Sequence, residues 1–173
     1  FPEKFTIAVY RSDTNPMHNE HFIFEIARSC PDIKFEFFGG EPGTLKHRVM
    51  KNIHYNGNVA EGDMPEFIKG TSCILRCTGH DGFPATIAEW VLCGRPFMSN
   101  LPDMPFNRKL DVKMKQETLL QDKISIIKSI RNLQRNMKSE DFDMKCQETA
   151  RKFYVNLLNP ETYRKRIYEV VYG

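Results

Sequence analysis

Residues 73–96 read CILRCTGHDGFPATIAEWVLCGRP, and the order of elements within them points to one class of fold. Cys73 to Cys77 is a compact apolar run of strand length. Thr78 to Gly82 is a polar turn containing two glycines. The pattern then predicts a helix over Thr86–Cys93, with Pro84 near its start and Gly94 just past its end. Arg95-Pro96 leads into another apolar run that ends at Ser99. Strand, turn, helix and strand in so short a space form a βαβ unit, which implies a right-handed crossover between parallel strands.

The same alternation extends towards the N-terminus. Phe5 to Tyr10 (FTIAVY) is a first strand rich in β-formers. A turn-rich segment follows, and then Phe22, Ile23, Ile26 and Ala27 recur at helical spacing until Cys30-Pro31 ends the helix. Lys34 to Phe38 is a second strand closed by Gly39-Gly40. A short helix is expected over Leu45–Met50, a third strand over Ile53–Tyr55, and a further helix over Met64–Lys69 with Gly70 as its stop. The strands are continuous apolar runs, as sheets covered on both faces require. The expected fold is α/β, a Rossmann-like parallel sheet of five or six strands with helices on both faces, plus C-terminal helices. The strands Phe5–Tyr10 and Cys73–Cys77 are expected in its interior.

The last third changes character. Leu101 to Lys115, rich in Pro, Lys and Met, reads as a long loop. Leu119, Ile126, Ile130, Leu133 and Met137 mark one amphipathic helix, and Phe142, Cys146, Ala150, Phe153 and Leu157 a second that Asn159-Pro160 stops. Tyr163, Ile167 and Val170 suggest a final short helix, expected to keep part of its apolar face open for another domain or chain. The organisation is thus a single domain over 1–173: an α/β core over 1–100, a loop over 101–115 and a helical tail over 116–173.

The chemistry sits in the turn after Arg76. The first-turn N–H groups of the following helix, with the positive end of its dipole, form an anion site at the carboxyl edge of the strand. Ligands gather at that edge in open parallel sheets. Gly82 lets the backbone approach a ligand closely. Glu89 lies within the helix, where a carboxylate can accept two hydrogen bonds from a vicinal diol such as a ribose. On pattern alone, two readings stand side by side. One is a site for a phosphorylated sugar or nucleotide; the other is a capped helix on which His80 and Asp81 decorate the turn and Glu89 lies on the surface. Trp90 reads as packing, and His47 and His54 as surface residues.

The stretch resembles the donor-binding motif of group-1 retaining glycosyltransferases, in which an acidic residue and a Glu are separated by seven residues; here they are Asp81 and Glu89. Three other pieces match in order: Val9-Tyr10-Arg11, Tyr55-Asn56-Gly57-Asn58-Val59 with Met64-Pro65-Glu66-Phe67 behind it, and Glu89 to Pro96. The resemblance implies one half of a GT-B fold, the C-terminal, donor-binding half, with the N-terminal acceptor domain absent from this chain. It implies that Glu89 binds the ribose hydroxyls and that the backbone around Phe83, Pro84, Ala85 and Thr86, with Gly82, holds the donor phosphate and sugar. Asp81, the catalytic residue of the motif, faces the transferred sugar, hydrogen-bonding its hydroxyls or steadying positive charge at the anomeric carbon, with His80 beside it. Arg11 pairs with the diphosphate as a leaving group, and Asn58 and Val59 lie against the base. Two departures stand out. Asp81 occupies a position usually held by Glu, and Ser12 to Asn19 lacks the Lys that commonly follows the Arg, for which His18 or Arg76 is the available substitute. The expected activity is retaining glycosyl transfer from a nucleotide-diphosphate sugar to an acceptor, as part of a longer protein, the isolated domain being inactive. The alternative is a non-catalytic nucleotide- or carbohydrate-binding module of the same fold.

Composition narrows the remaining classes. The chain has 173 residues, 40% hydrophobic and 27% charged, with a formal net charge of +3. That balance suits a folded soluble domain and gives no block of basic residues for nucleic acid. No apolar run reaches the length of a spanning helix; peripheral membrane contact is left to the full-length protein. The five cysteines lack framework spacing, which suits a reducing, cytoplasmic setting. Cys73, Cys77 and His80 do not make a zinc site, because strand residues four apart stand about 13 Å from each other while zinc–sulfur bonds are about 2.3 Å. No metal or cofactor is expected. The first strand–helix turn argues against another Rossmann-like protein such as a dinucleotide oxidoreductase, since Arg11 to Asn15 contains no glycine.

Overall fold

The computed structural model describes residues 1–11, 20–40, 50–77, 85–99, 111–113, 123–155 and 159–161. Among these residues six strands form one parallel sheet: β1 (Thr6–Tyr10), β2 (Lys34–Phe38), β3 (Ile53–Tyr55), β4 (Cys73–Arg76), β5 (Phe97–Ser99) and β6 (Asp111–Lys113). Their order is β3-β2-β1-β4-β5-β6, and every neighbouring pair is parallel. The chain winds outward in one direction as far as β3, then returns to lay β4 against the other side of β1. The winding therefore reverses between β1 and β4, the position at which doubly wound sheets open a crevice at their carboxyl edge.

Alternation along each strand sorts the side chains into two cores. Ile7, Val9, Phe35, Phe37, Cys73, Leu75 and Met98 pack beneath α1 (Glu20–Ser29) and α4 (Lys123–Asn136), which contribute Ile23, Phe24, Ile26, Ile126, Ile130 and Leu133. Ala8, Phe38, Ile74 and Phe97 face the other way, against α2 (Met64–Lys69), α3 (Ala85–Leu92) and Phe153 of α5 (Glu140–Phe153). Both faces being buried explains why the strands read as unbroken apolar runs. Each large side chain fully withdrawn from water contributes about 1.5–3 kcal/mol. Trp90 belongs to this second core: it is fully buried, stacks on Phe38 with ring centres 5.3 Å apart, and its Nε1 donates to Thr71 Oγ1 at 3.0 Å.

Helix ends are closed by specific residues. Gly94 has φ +67°, its N–H donates to Val91 O at 3.0 Å, and the Arg95 N–H reaches Trp90 O at 2.8 Å. This pair of bonds is a Schellman closure of α3. At the far end of α1, Asn52 Nδ2 donates to three carbonyls, those of Ala27, Cys30 and Ile33, at 2.9, 3.0 and 3.2 Å. One amide from the approach to β3 thereby satisfies the last turn of α1 and the loop behind it. Asn52→Ala should lower stability by about 1–2 kcal/mol, because the carbonyls it serves are only partly open to water. Urea unfolding with an unchanged slope would register this as a lower midpoint.

The stretch expected to be a loop, Leu101 to Lys115, contains β6, which pairs with β5 from Phe97↔Asp111 to Ser99↔Lys113. A strand of three residues with Val112 as its single apolar member carries too little periodicity to be read. Its brevity and its flanking charges also suit the edge of a sheet. The helix expected over Leu45–Met50 and the final helix with Tyr163, Ile167 and Val170 lie outside the described residues, apart from Met50. Among the described residues no helix is long and apolar enough to cross a membrane.

Candidate functional site

All six strands run the same way, so their carboxyl ends meet along one edge. Arg11 follows β1 there, and its N–H donates to Phe38 O at 2.9 Å, extending the β1–β2 ladder by one bond. Gly39 and Gly40 follow β2, and Asn56 to Val59 follow β3. The Gly39 N–H donates to Gly57 O at 2.8 Å and the Gly40 N–H to Asn58 Oδ1 at 3.0 Å. These bonds clasp the two loops together, with φ of +76°, +73° and +65° at Gly39, Gly40 and Gly57. Val59 turns inward, half-buried against the core beneath α2 and α3.

Arg76 closes β4 on the α3 side of the sheet. Its guanidinium carbon lies 5.0 Å from the centre of the Tyr10 ring, and Nη1 donates to Thr86 Oγ1 at 3.1 Å. Thr86 is the second residue of α3, so this bond ties the start of the helix to the strand edge. No acidic side chain occupies the first turn of α3, which leaves the positive end of its dipole unopposed from within the helix. Ala85 is exposed at that end.

Glu89 stands one turn further along α3, half-buried. Burial pushes its carboxyl pKa up, and the charge of Glu61 adds to the effect. Glu61 opens a short 3-10 turn, Glu61–Asp63, just beyond the β3 loop. The charges at the start of this turn and within α3 thus act on one another, a neighbourhood that arises only through the fold.

Arg11, Asn58, Val59, Arg76, Ala85, Thr86 and Glu89 are accordingly placed by the strand ends and by the first turns of α3. Asp81, His80, Gly82, Phe83 and Pro84 lie outside the described residues. Sequence reading missed three contributors. Tyr10 carries Arg76 on its ring, Glu61 biases Glu89, and Gly39 leaves room for Tyr10 and Arg11. The readable signal was the Gly39-Gly40 pair directly after a strand; nothing local marks the other two. Cys73 and Cys77 line the core beneath α1, where burial pushes the Cys77 thiol up to about 12, so neither is a reactive thiol. Among the described residues no cluster of His, Cys, Asp and Glu could hold a metal ion.

No protein-family model and no curated protein matches the sequence. Solved structures do match the fold. TarM of S. aureus, in a structure containing UDP, superimposes with a TM-score of 0.72 at 10% identity, over 100% of this chain and 36% of TarM. The pneumococcal O-GlcNAc transferase GtfA, in complex with UDP and GlcNAc, gives 0.68 at 16% identity, over 99% of this chain and 37% of GtfA. The C-terminal domain of a group 1 family glycosyl transferase, LpcC of Francisella tularensis, gives 0.60 at 13% identity, over 92% of this chain and 88% of that domain. The chain thus spans little more than a third of the larger enzymes but nearly all of an isolated C-terminal domain. It has the fold of the C-terminal domain of a GT-B glycosyltransferase.

Proposed function

We propose that this chain binds the nucleoside-diphosphate-sugar donor of a retaining glycosyltransferase, and that a preceding domain supplies the acceptor side of the active site. The observation that carries this reading is the position of Glu89. A half-buried carboxylate one turn inside α3, whose first turn carries no acidic side chain, would accept from both hydroxyls of a ribose whose phosphates reach the helix start. Partial withdrawal from water strengthens such bonds, since the competing solvent is reduced. UDP in the TarM and GtfA structures supports the same ligand class.

In this reading the first turn of α3 holds the phosphates, Arg11 stabilises the departing diphosphate, and Asn58 and Val59 flank the base. Asp81 faces the transferred sugar and steadies positive charge at its anomeric carbon. Residues 1–173 form one unit, and the isolated unit binds donor without transferring it. Ligand-observed NMR with uridine, guanosine and adenosine diphosphates and their glucose and GlcNAc conjugates tests the proposal. Saturation transfer to the ribose and base protons of at least one of them is expected, and none across the panel would overturn the reading. Asp81→Asn should spare the bare diphosphate and weaken the sugar conjugate by roughly fivefold, about 1 kcal/mol. Equal weakening of both would remove Asp81 from the sugar.

A further inference from the structure

Glu36 is an unexpected residue for a strand whose two faces are both covered. It lies in the middle of β2, beside Ala8 of β1 and His54 of β3 in the register, and is 8% exposed. Strand alternation puts it on the face of Ala8 and Phe38, the side that α2 and α3 cover. A carboxylate withdrawn this far costs stability unless partners compensate it, and an apolar side chain of similar volume would pack there at least as well. Two partners do compensate it. The exposed Lys34 forms an ion pair with its Oε1, and Asn56 Nδ2 donates to its Oε2 at 2.8 Å.

Asn56 opens the loop after β3. Its Nδ2 also donates to Phe37 O at 3.3 Å, which gives each hydrogen of the amide an acceptor. Its backbone N–H donates to the same carbonyl at 2.8 Å. Further along the loop, Asn58 Oδ1 accepts from the Gly40 N–H and Val59 packs against the second core. The outer part of the loop is thus held by glycine backbone, whereas its first residue is held by a charge from inside the sheet. Hydrogen bonds to an ionised acceptor are about twice as strong as neutral ones.

Resting on the donor reading above, we propose that Glu36 is a positioning residue for base selection, acting through Asn56 on the loop that carries Asn58 and Val59. The carboxylate fixes the Asn56 amide, the amide fixes the start of the loop, and the loop meets every incoming base in one shape. A loop ordered beforehand loses little freedom when the ligand arrives, so the base that fits it gains most. A loop free to rearrange accepts different bases more evenly.

The test is calorimetric titration with UDP, GDP and ADP, which share ribose and diphosphate and differ only in the base. Wild type, Glu36→Leu, Glu36→Gln, Asn56→Ala and the Glu36→Leu/Asn56→Ala double variant are compared. The wild type should favour one base over the other two. Glu36→Leu should melt about as high as the wild type, because an apolar side chain replaces a buried charge. It should nevertheless bind the favoured nucleotide about fivefold more weakly, roughly the contribution of one hydrogen bond, and the other two less than about twofold more weakly. Glu36→Gln should keep most of the preference, since its amide oxygen still accepts from Asn56. In the Asn56→Ala background, Glu36→Leu should change the ratio between bases no further. If Glu36→Leu does not fold, Asn56→Ala takes its place and should narrow the ratio that Glu36→Gln retains. An unchanged ratio, equal weakening of all three ligands, or the same effect of Glu36→Leu with and without Asn56 overturns the proposal. A wild type that binds all three alike overturns this inference alone. One that binds none of them overturns the donor reading with it.

Discussion

Glu89→Gln should lower the affinity for a nucleoside diphosphate by about 10- to 150-fold, corresponding to about 1.5–3 kcal/mol for charge-assisted bonds to the two ribose hydroxyls. The melting temperature should not fall. A carboxyl whose pKa is raised in the folded chain holds its proton more tightly there than when unfolded. Ionising it therefore costs stability, a cost that sets in as the pH rises past the unfolded value and is complete above the folded one. The neutral amide escapes that cost. Ligand binding reverses the preference, because the hydroxyls bond best to the ionised form. Donor affinity should thus decline as the pH falls through the raised pKa, and binding just above the ordinary glutamate range should release a proton. Titrations in two buffers of different ionisation heat detect that proton. Wild-type affinity in Glu89→Gln would leave the helix motif structural and remove the main support for the proposed function.

Gly39→Ala should be among the most destabilising small substitutions in the chain. With φ at +76°, a Cβ at this position would lie 2.6 Å from Arg11 O and 2.7 Å from Tyr10 Cε2. The carbonyl is backbone, and the N–H of the same residue is bonded to Phe38 O, so relieving the clash requires the chain after β1 to shift. Left-handed strain of about 1–2 kcal/mol and overpacking of about 1–3 kcal/mol together give a loss of about 2–5 kcal/mol. For a chain of this size that lowers the melting temperature by roughly 5–20 °C. Gly62→Ala is the matched control, since a Cβ there meets nothing within 4 Å. A Gly39→Ala melting temperature within a degree of the control would show that the turn gives way. Donor binding should suffer as well, because the displaced Tyr10 ring is the one that carries Arg76.

The core strands were legible because both faces of the sheet are buried. Lys34–Phe38 and Ile53–Tyr55 are observed over the residues expected, and Phe5–Tyr10 and Cys73–Cys77 each differ by one residue at one end. Helix α3 was bounded correctly to within a residue by its flanking punctuation, and Gly94 does close it. What escaped depends on contacts between distant parts of the chain. Asn52 serves α1 from across the β2–β3 connection. Arg95, read only as the approach to β5, is buried, donates to Lys69 O at 3.0 Å and lies 4.6 Å over the Phe1 ring. The Glu61–Glu89 neighbourhood likewise joins two segments that no spacing rule connects. Of the candidate site, the strand-end and α3 residues were proposed from pattern and resemblance, whereas the groups packed around them were not.

The seam between β1 and β4 also constrains how the molecule is made. At its start the Thr6 N–H donates to Ser72 Oγ at 2.9 Å across 66 residues of chain, and the Ser72 N–H returns to Thr6 O at 2.8 Å. During synthesis β1, α1, β2 and β3 emerge first and can assemble, but one side of β1 must then wait, unpaired, until β4 leaves the ribosome. Contacts of such sequence separation form late and slowly, and a waiting strand edge is a template for pairing with the wrong chain. A nascent chain halted before Thr71 should accordingly aggregate or recruit chaperones more readily than one halted after Leu92. Tyr10 and Arg76 come together across this seam, so this edge of the sheet is completed only when the long-range closure succeeds.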